Sequence, residues 1–243
     1  MEIDPCATLS RMPDGTPERY PELLSLAVHE LRTPASVVGG YLRMLLRDAE
    51  RPLNDRHRKM VEEAEKSCAR MVALIAELSD IGKLDAGVVT LQQQPLDLFA
   101  LVTDVAEHVH EARDREVRLE VRGDSKAASL QGDAARLRSA FDAVFRAILR
   151  EKAGPGLVVA ERRRARLDDR PHALVVVADD TSVQDAYGRP RSAFDDKRGG
   201  TGLALPLARR VFERHGGGIF APAGASDDPV SHGSAIIIIP LRE

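Results

Sequence analysis

The chain has 243 residues, of which 43% are hydrophobic and 30% charged, a composition typical of folded domains. Its formal net charge of −3 gives no overall attraction to nucleic acid or to an anionic membrane surface. The two cysteines, Cys6 and Cys68, are too few for a disulfide framework and lack a metal-ligand spacing. No apolar run reaches the roughly 18 residues of a membrane span, and the N-terminus lacks a signal-peptide core. We therefore expect a cytoplasmic chain that binds no nucleic acid, inserts into no membrane and has no metal ligands.

Two long helices are predicted after residues 1–20, which contain three prolines and are interpreted as an N-terminal tail or linker. In the first helix, over about 21–49, apolar residues recur every seven positions, as in a coiled-coil seam. They are Leu24, Leu31, Val38 and Leu45, with Ala27, Pro34 and Tyr41 as a companion series. A break at 51–55 separates this helix from a second one with a similar seam, over about 55–82.

The two helices predict an antiparallel hairpin, which we assign to residues 21–84. Each helix of such a hairpin has one apolar stripe and no further helix to cover it. Two copies that pair into a four-helix bundle would bury both stripes, so the sequence predicts a homodimer.

After a linker at 85–95, residues 96–243 show a mixture of helical and strand patterns. Strands and helices that do not alternate regularly predict an α+β sandwich, with helices on one face of a mixed sheet. Helices are expected over about 97–112, 134–151 and 202–215, strands at 88–98, 116–123, 156–167, 172–180 and 234–240, and a loop over about 181–200.

His29 falls on the side of the first helix that faces away from the seam, where a solvated surface histidine is the ordinary interpretation. Its neighbours favour a chemical role. Glu30 could accept the imidazole proton and leave one ring nitrogen as a nucleophile. Thr33 lies one turn further and could orient a water or a phosphoryl oxygen, and Pro34 bends the helix at this point.

The segment "HELRTP" at 29–34, on the first helix of a dimerising hairpin, resembles the H-box of two-component sensor histidine kinases. The resemblance implies that His29 is the phosphoacceptor and Glu30 its general base. It also implies that Thr33 positions water in a phosphatase reaction on a partner response regulator. "ELSDIGKLDAG" at 77–87 resembles the end of the family's second helix.

The region from about 96 onward resembles the Bergerat-type ATP-binding domain of that family. "GGTGLAL" at 199–205 resembles its G2 box, where glycines let the backbone approach phosphate at a helix start. By this resemblance Asp179 would hydrogen-bond the adenine amino group and Ser234 would support that contact. The other positions implied to contact ATP are Gly200, Thr201, Gly202, Leu203, Arg150 and Lys197.

Two departures from the family weaken the expectation of ATP and Mg²⁺ use. The run "DDTSV" at 179–183 has Thr181 and Val183 where the family's G1 box has glycines. In the helix that resembles the N-box, Ala143 and Ala147 occupy the two asparagine positions, the second of which normally holds magnesium. Alanine offers no oxygen to this hard cation, although it also suits a helix for purely structural reasons.

Three functions remain open at this stage. The first is a histidine kinase that phosphorylates His29 with ATP and passes the phosphoryl group to a response-regulator aspartate. The second is a dimeric phosphotransferase or phosphatase that uses His29, Glu30 and Thr33 without productive ATP binding. The third is a regulatory pseudokinase that binds partners and performs no chemistry.

Overall fold

The computed structural model describes residues 19–200, 202–225 and 228–242. The predicted tail lies outside this part of the chain except for residues 19–20, which already belong to the first helix. The chain divides into two compact units, one ending at Gly82 and the other beginning at Lys83. No helix within the described ranges has the length and apolarity needed to cross a membrane.

The two long helices of the predicted hairpin are α1 (Arg19–Arg47) and α2 (Asp55–Asp85), and all but the last three residues of α2 belong to the first unit. Asp48 shapes the turn between them because its Oδ1 accepts hydrogen bonds from the amides of Glu50 and Arg51, at 3.0 and 2.9 Å. The side chain of Asn54 then caps α2 by accepting the amide proton of His57 at 2.9 Å. The predicted fold of this region is confirmed.

Packing within the hairpin buries only one side of each helix. Val28 and Cys68 are almost fully buried between the two helices, and the Cys68 thiol donates to the Ala35 carbonyl at 3.1 Å. The predicted seam of α1 lies next to this face and stays in solvent. Its exposed side chains include Leu31, Val38, Tyr41 and Leu45, which are 52%, 49%, 64% and 47% exposed.

The second unit consists of five helices, eight strands and short 3₁₀ turns within the described residues. The helices are α3 (Leu98–His108), α4 (Ala134–Glu151), α5 (Val183–Gly188), α6 (Ala204–Arg214) and α7 (Pro229–His232). The strands are β1 (Gln94–Asp97), β2 (Val117–Gly123), β3 (Ser129–Gly132), β4 (Gly156–Leu167), β5 (Arg170–Asp179), β6 (Arg191–Ala193), β7 (Gly218–Pro222) and β8 (Ala235–Pro240).

Six of the strands form a mixed sheet in the order β2-β4-β5-β8-β7-β6, in which only β2 and β4 run parallel. One face of this sheet packs against α3, α4 and α6 in the main core, as predicted for an α+β sandwich. Alternate side chains of the same strands point to the other face, where Val176 and Ile236 are buried with Val183 and Ala186 of α5.

The segment at 181–200 differs from the loop that the sequence predicts. It forms α5, the edge strand β6 and a 3₁₀ turn at Arg198–Gly200. The physical reason is tertiary: Val183 and Ala186 gain burial on the second face of the sheet, and β6 pairs with β7. The strand predicted from residue 88 begins only at Gln94, and α3 ends at His108 rather than at 112.

Candidate functional site

His29 lies on the exposed side of α1, with 78% of its side chain in solvent. The imidazole Nδ1 is 3.3 Å from the Oε1 of Glu30, whose side chain is also exposed. This contact favours the tautomer with the proton on Nδ1, because the carboxylate can only accept. The other ring nitrogen, Nε2, then carries the lone pair and is the nucleophilic atom.

Thr33 is exposed one turn after His29, as the heptad pattern requires. Pro34 lies inside α1 and has no amide proton, so the carbonyl of Glu30 loses its usual partner in the helix ladder. The carbonyl of Ala35, the next residue, accepts a hydrogen bond from the Cys68 thiol of α2. The structure thus brings His29, Glu30 and Thr33 to one exposed stretch beside a helix irregularity.

In the second unit, α4 has the amphipathic pattern that its sequence predicts. Asp133 caps its first turn by accepting the amide proton of Arg136 at 3.1 Å. The Asp133 amide in turn donates to Nε2 of His215 at 3.0 Å. Toward the other end of the helix, Ala143 and Ala147 are both buried, Ala147 completely.

The glycine-rich loop packs directly on α4. Gly199 has φ +69°, and a Cβ on this residue would stand 2.9 Å from both the Cα and the Cβ of Ala147. Gly200 and Gly202 also have positive φ, at +58° and +69°. Leu203 precedes α6 as its N-cap residue without a side-chain capping bond, and Thr201 lies outside the described residues.

Asp179 ends β5 and has polar partners on both carboxylate oxygens. Its Oδ1 accepts from the amide of Thr181 at 3.0 Å and from the Thr181 hydroxyl at 2.7 Å. Its Oδ2 forms an ion pair with Lys152, the residue that follows α4. Partial burial alone would raise the pKa of Asp179, but the donors of Lys152 and Thr181 outweigh it and lower the pKa.

The remaining predicted positions lie around the same end of α4. Ser234 immediately precedes β8, beside the end of β5, and its fully buried hydroxyl has no hydrogen-bond partner among the described residues. Arg150 pairs with Glu111 at 2.8 Å and reaches the Gly200 carbonyl at 3.5 Å. The hydrogen bond from Arg150 is the main reason why the pKa of Glu111 is lowered. Lys197 is exposed.

These positions border one region, between the end of α4, the ends of β5 and β8 and the glycine-rich loop, and we refer to this region as the cleft. Residues 22–87 of the hairpin match the family model described as the His Kinase A (phospho-acceptor) domain. The similarity to sensor kinases continues through the second unit. The chain carries the core of a two-component histidine kinase.

Several sensor kinases are similar to this histidine kinase core over most of its length. The circadian input-output histidine kinase CikA of Synechococcus elongatus is 29% identical over 222 residues, which cover 82% of this chain and 27% of CikA. The phosphate regulon sensor protein PhoR of Pseudomonas aeruginosa is 30% identical over 200 residues, covering 77% of this chain and 43% of PhoR. The chain therefore spans less than half the length of these relatives.

Among solved structures, full-length ShkA, crystallised with AMPPNP, has the same fold with a TM-score of 0.66 and 20% identity. The superposition covers 91% of the histidine kinase core and 45% of ShkA. It supports the assignment of a helical hairpin followed along the chain by an α+β sandwich. At this level of identity it shows the fold alone.

Three charged residues of the histidine kinase core lie in the cleft but were not selected from the sequence. They are Glu151, Lys152 and Arg198, of which Lys152 pairs with Asp179 and Arg198 with Glu151. Glu151 and Lys152 directly follow Arg150 in the chain, so their position at the end of the amphipathic helix was a usable indication. Nothing local distinguishes Arg198 from a solvated charge.

Proposed function

We propose that this chain is a histidine phosphotransfer module of a two-component system, in which His29 exchanges a phosphoryl group with an aspartate of a response regulator. The observation that supports it is the exposed His29–Glu30 pair within a segment that matches a phospho-acceptor domain. An exposed nucleophile can meet a partner protein without any rearrangement of the hairpin.

The geometry defines the transfer step. Nε2 of His29 attacks the phosphorus of the aspartyl phosphate, so a P–N bond forms as the P–O bond to the aspartate breaks. The aspartate leaves as a carboxylate. The phosphorylated imidazolium then loses its Nδ1 proton to Glu30, whose carboxylate lies 3.3 Å from Nδ1. In the reverse direction the same atoms return the phosphoryl group.

Thr33 is proposed to support a phosphatase reaction at the same place. Its hydroxyl lies one helical turn from His29, where it can orient a water toward a partner's aspartyl phosphate. Such a reaction hydrolyses the acyl phosphate and leaves His29 unmodified. Loss of the Thr33 hydroxyl should therefore reduce hydrolysis more than it reduces transfer to His29.

A homodimer is proposed because the seam of α1 has no cover within one chain. Leu31, Val38 and Leu45 lie about half in solvent, at intervals of seven residues along one line. A second copy with the same spacing supplies the matching stripe, and a four-helix bundle is the arrangement in which both are buried. The response regulator is then the second partner of the module.

Magnesium-dependent use of ATP does not fit the residues present. The family resemblance places a magnesium ligand at Ala147, but this side chain carries no oxygen and its Cβ is completely buried against the Gly199 backbone. An asparagine there would have to displace the glycine-rich loop.

The base contacts of a nucleotide are also compromised. Asp179 is already ion-paired with Lys152 and bonded to Thr181, one of the residues that replaces a glycine of the G1 box. Val183, the other, is buried on the opposite face of the sheet. Since the fold of ShkA holds AMPPNP, the fold itself is compatible with a nucleotide, and the obstacle lies in these side chains. We therefore place the source of the phosphoryl group on a partner.

The test compares two phosphoryl donors on the dimeric protein. One is γ-labelled ATP with magnesium, and the other is a panel of receiver domains labelled on aspartate with acetyl phosphate. We expect label on the wild type from a receiver and none from ATP. His29→Ala should lose all label, whereas His57→Ala, the same change at an exposed histidine of α2, should keep it. Label from ATP would refute the ATP-independent part, and no label from any receiver would refute the transfer.

A further inference from the structure

Arg198 stands out because it is a charged side chain that is only 8% exposed, directly before the glycines of the G2-like loop. Lys197, which precedes Arg198, and Gly200, two residues after it, are exposed. Burying a cation costs free energy unless the cation is paired and hydrogen-bonded. The burial therefore points to a specific place for this guanidinium.

The contacts show where the guanidinium lies. Its Nε donates to the Oε2 of Glu151 at the end of α4 at 2.8 Å, and one of its terminal nitrogens bonds the same oxygen. The other terminal nitrogen donates to the Ser234 carbonyl at the start of β8 at 3.2 Å. The ring of Phe194 lies below, with its centroid 5.0 Å from the guanidinium carbon. Arg198 thus bridges the helix layer and the sheet.

This bridge lies beside the two residues that the family resemblance assigns to the adenine contact. Ser234 and Asp179 sit at the adjoining ends of β8 and β5, and the guanidinium occupies the space between Ser234 and α4. A planar, delocalised guanidinium over an aromatic ring has the flat shape of a heterocyclic base. The Ser234 hydroxyl remains without a partner in the described structure, which fits a site whose original ligand has been replaced.

We propose that Arg198 is a built-in occupant of the nucleotide cleft, an autoinhibitory plug that takes the place of a purine base and holds the glycine-rich loop against α4. The inference rests on the proposed function, which locates a former nucleotide site in this cleft. It goes beyond that function because it names the residue that closes the site and predicts that its removal reopens it.

The energetics favour the plugged state. Burial lowers the pKa of Arg198 and the Glu151 carboxylate offsets part of this effect. An arginine side chain stays charged in proteins, so the bridge is an ion pair. Pulling the guanidinium out would leave a partly buried carboxylate without its cation, which is costly in a poorly solvated site. It would also lift Gly199 from Ala147, since Gly199 follows in the chain. A ligand must supply this free energy before it gains any contact of its own.

The test measures binding of ADP by titration calorimetry in EDTA, so that neither a metal nor His29 is involved. If the plug closes the cleft in about nine-tenths of molecules or more, Arg198→Ala should bind ADP about tenfold more tightly than wild type or better. The matched control is Arg191→Ala, which removes the same charge from an exposed position of β6 and should leave the affinity unchanged.

Glu151→Gln is a second variant in case Arg198→Ala does not fold. It keeps the side-chain volume and removes only the negative charge that pairs with Arg198. We expect it to raise ADP affinity by a smaller factor. Equal affinities for wild type, Arg191→Ala and whichever of the other two is folded by circular dichroism would overturn the plug. The receiver-transfer assay is independent of this outcome, so failure of the plug and failure of the phosphotransfer function can be told apart.

Discussion

Replacing Gly199 by alanine is the sharpest test of how the glycine-rich loop packs on α4. At φ +69° a non-glycine residue is strained by about 1–2 kcal/mol. The added Cβ would also lie 2.9 Å from two carbons of Ala147, a contact that forces the loop or α4 to shift. Overpacking of this kind costs about 1–3 kcal/mol more. We expect Gly199→Ala to lower the free energy of unfolding by roughly 2–5 kcal/mol in total.

Gly200→Ala is the matched control for this prediction. Gly200 has a similar φ of +58°, but a Cβ there meets nothing within 4 Å. It should cost only the left-handed strain, about 1–2 kcal/mol. Both changes affect the unfolded chain equally, so their difference isolates the contact with Ala147. Urea unfolding followed by circular dichroism measures the free energy of unfolding of each variant. Equal losses for the two variants would refute the packing of the loop on α4.

Three further predictions concern stability. Burial lowers the pKa of His215 below its usual 6.5, so the folded protein favours the neutral imidazole, which accepts the Asp133 amide proton. This contribution to the free energy of unfolding is therefore present above pH 6.5 and lost as the pH falls. Urea titrations at pH 7.5 and 5.5 should show a smaller change in the free energy of unfolding for His215→Asn than for wild type. Asp169 has φ +59° in the β4–β5 turn, so Asp169→Gly should stabilise by roughly 0.5–1 kcal/mol, and a loss of thermal stability would contradict this. Phe212 is fully buried with its ring 5.2 Å from Phe141, so Phe212→Ala should cost about 3–5 kcal/mol in urea unfolding, and a loss below 1 kcal/mol would show that this core repacks.

Local patterns of the sequence were sufficient for the hairpin and for the main helices of the second unit. The heptad spacing from Leu24 to Leu45 depends on one helix only, so it could be recognised without knowing the fold. The same holds for the apolar face of α4 and for the exposure of His29, which follows from its angle to the seam. Residues whose role depends on helical periodicity are therefore predictable from the chain alone.

The small elements at 181–200 escaped prediction because their stability is not local. A six-residue helix and a three-residue strand are too short to form by propensity. They exist because Val183 and Ala186 find an apolar sheet face and because β7 has a free edge for β6. Only the completed sheet supplies both.

The sequence by itself determined an exposed histidine beside a carboxylate on a long helix, an amphipathic helix without oxygen ligands at Ala143 and Ala147, and a glycine-rich helix start. Only the tertiary structure decided which charged side chains meet around the end of α4. Arg198 and Glu151 are 47 residues apart, and Lys152 and Asp179 are 27 apart. Such ion pairs form because the fold brings separate elements together and removes water from their charges, and no local pattern of residues encodes that proximity.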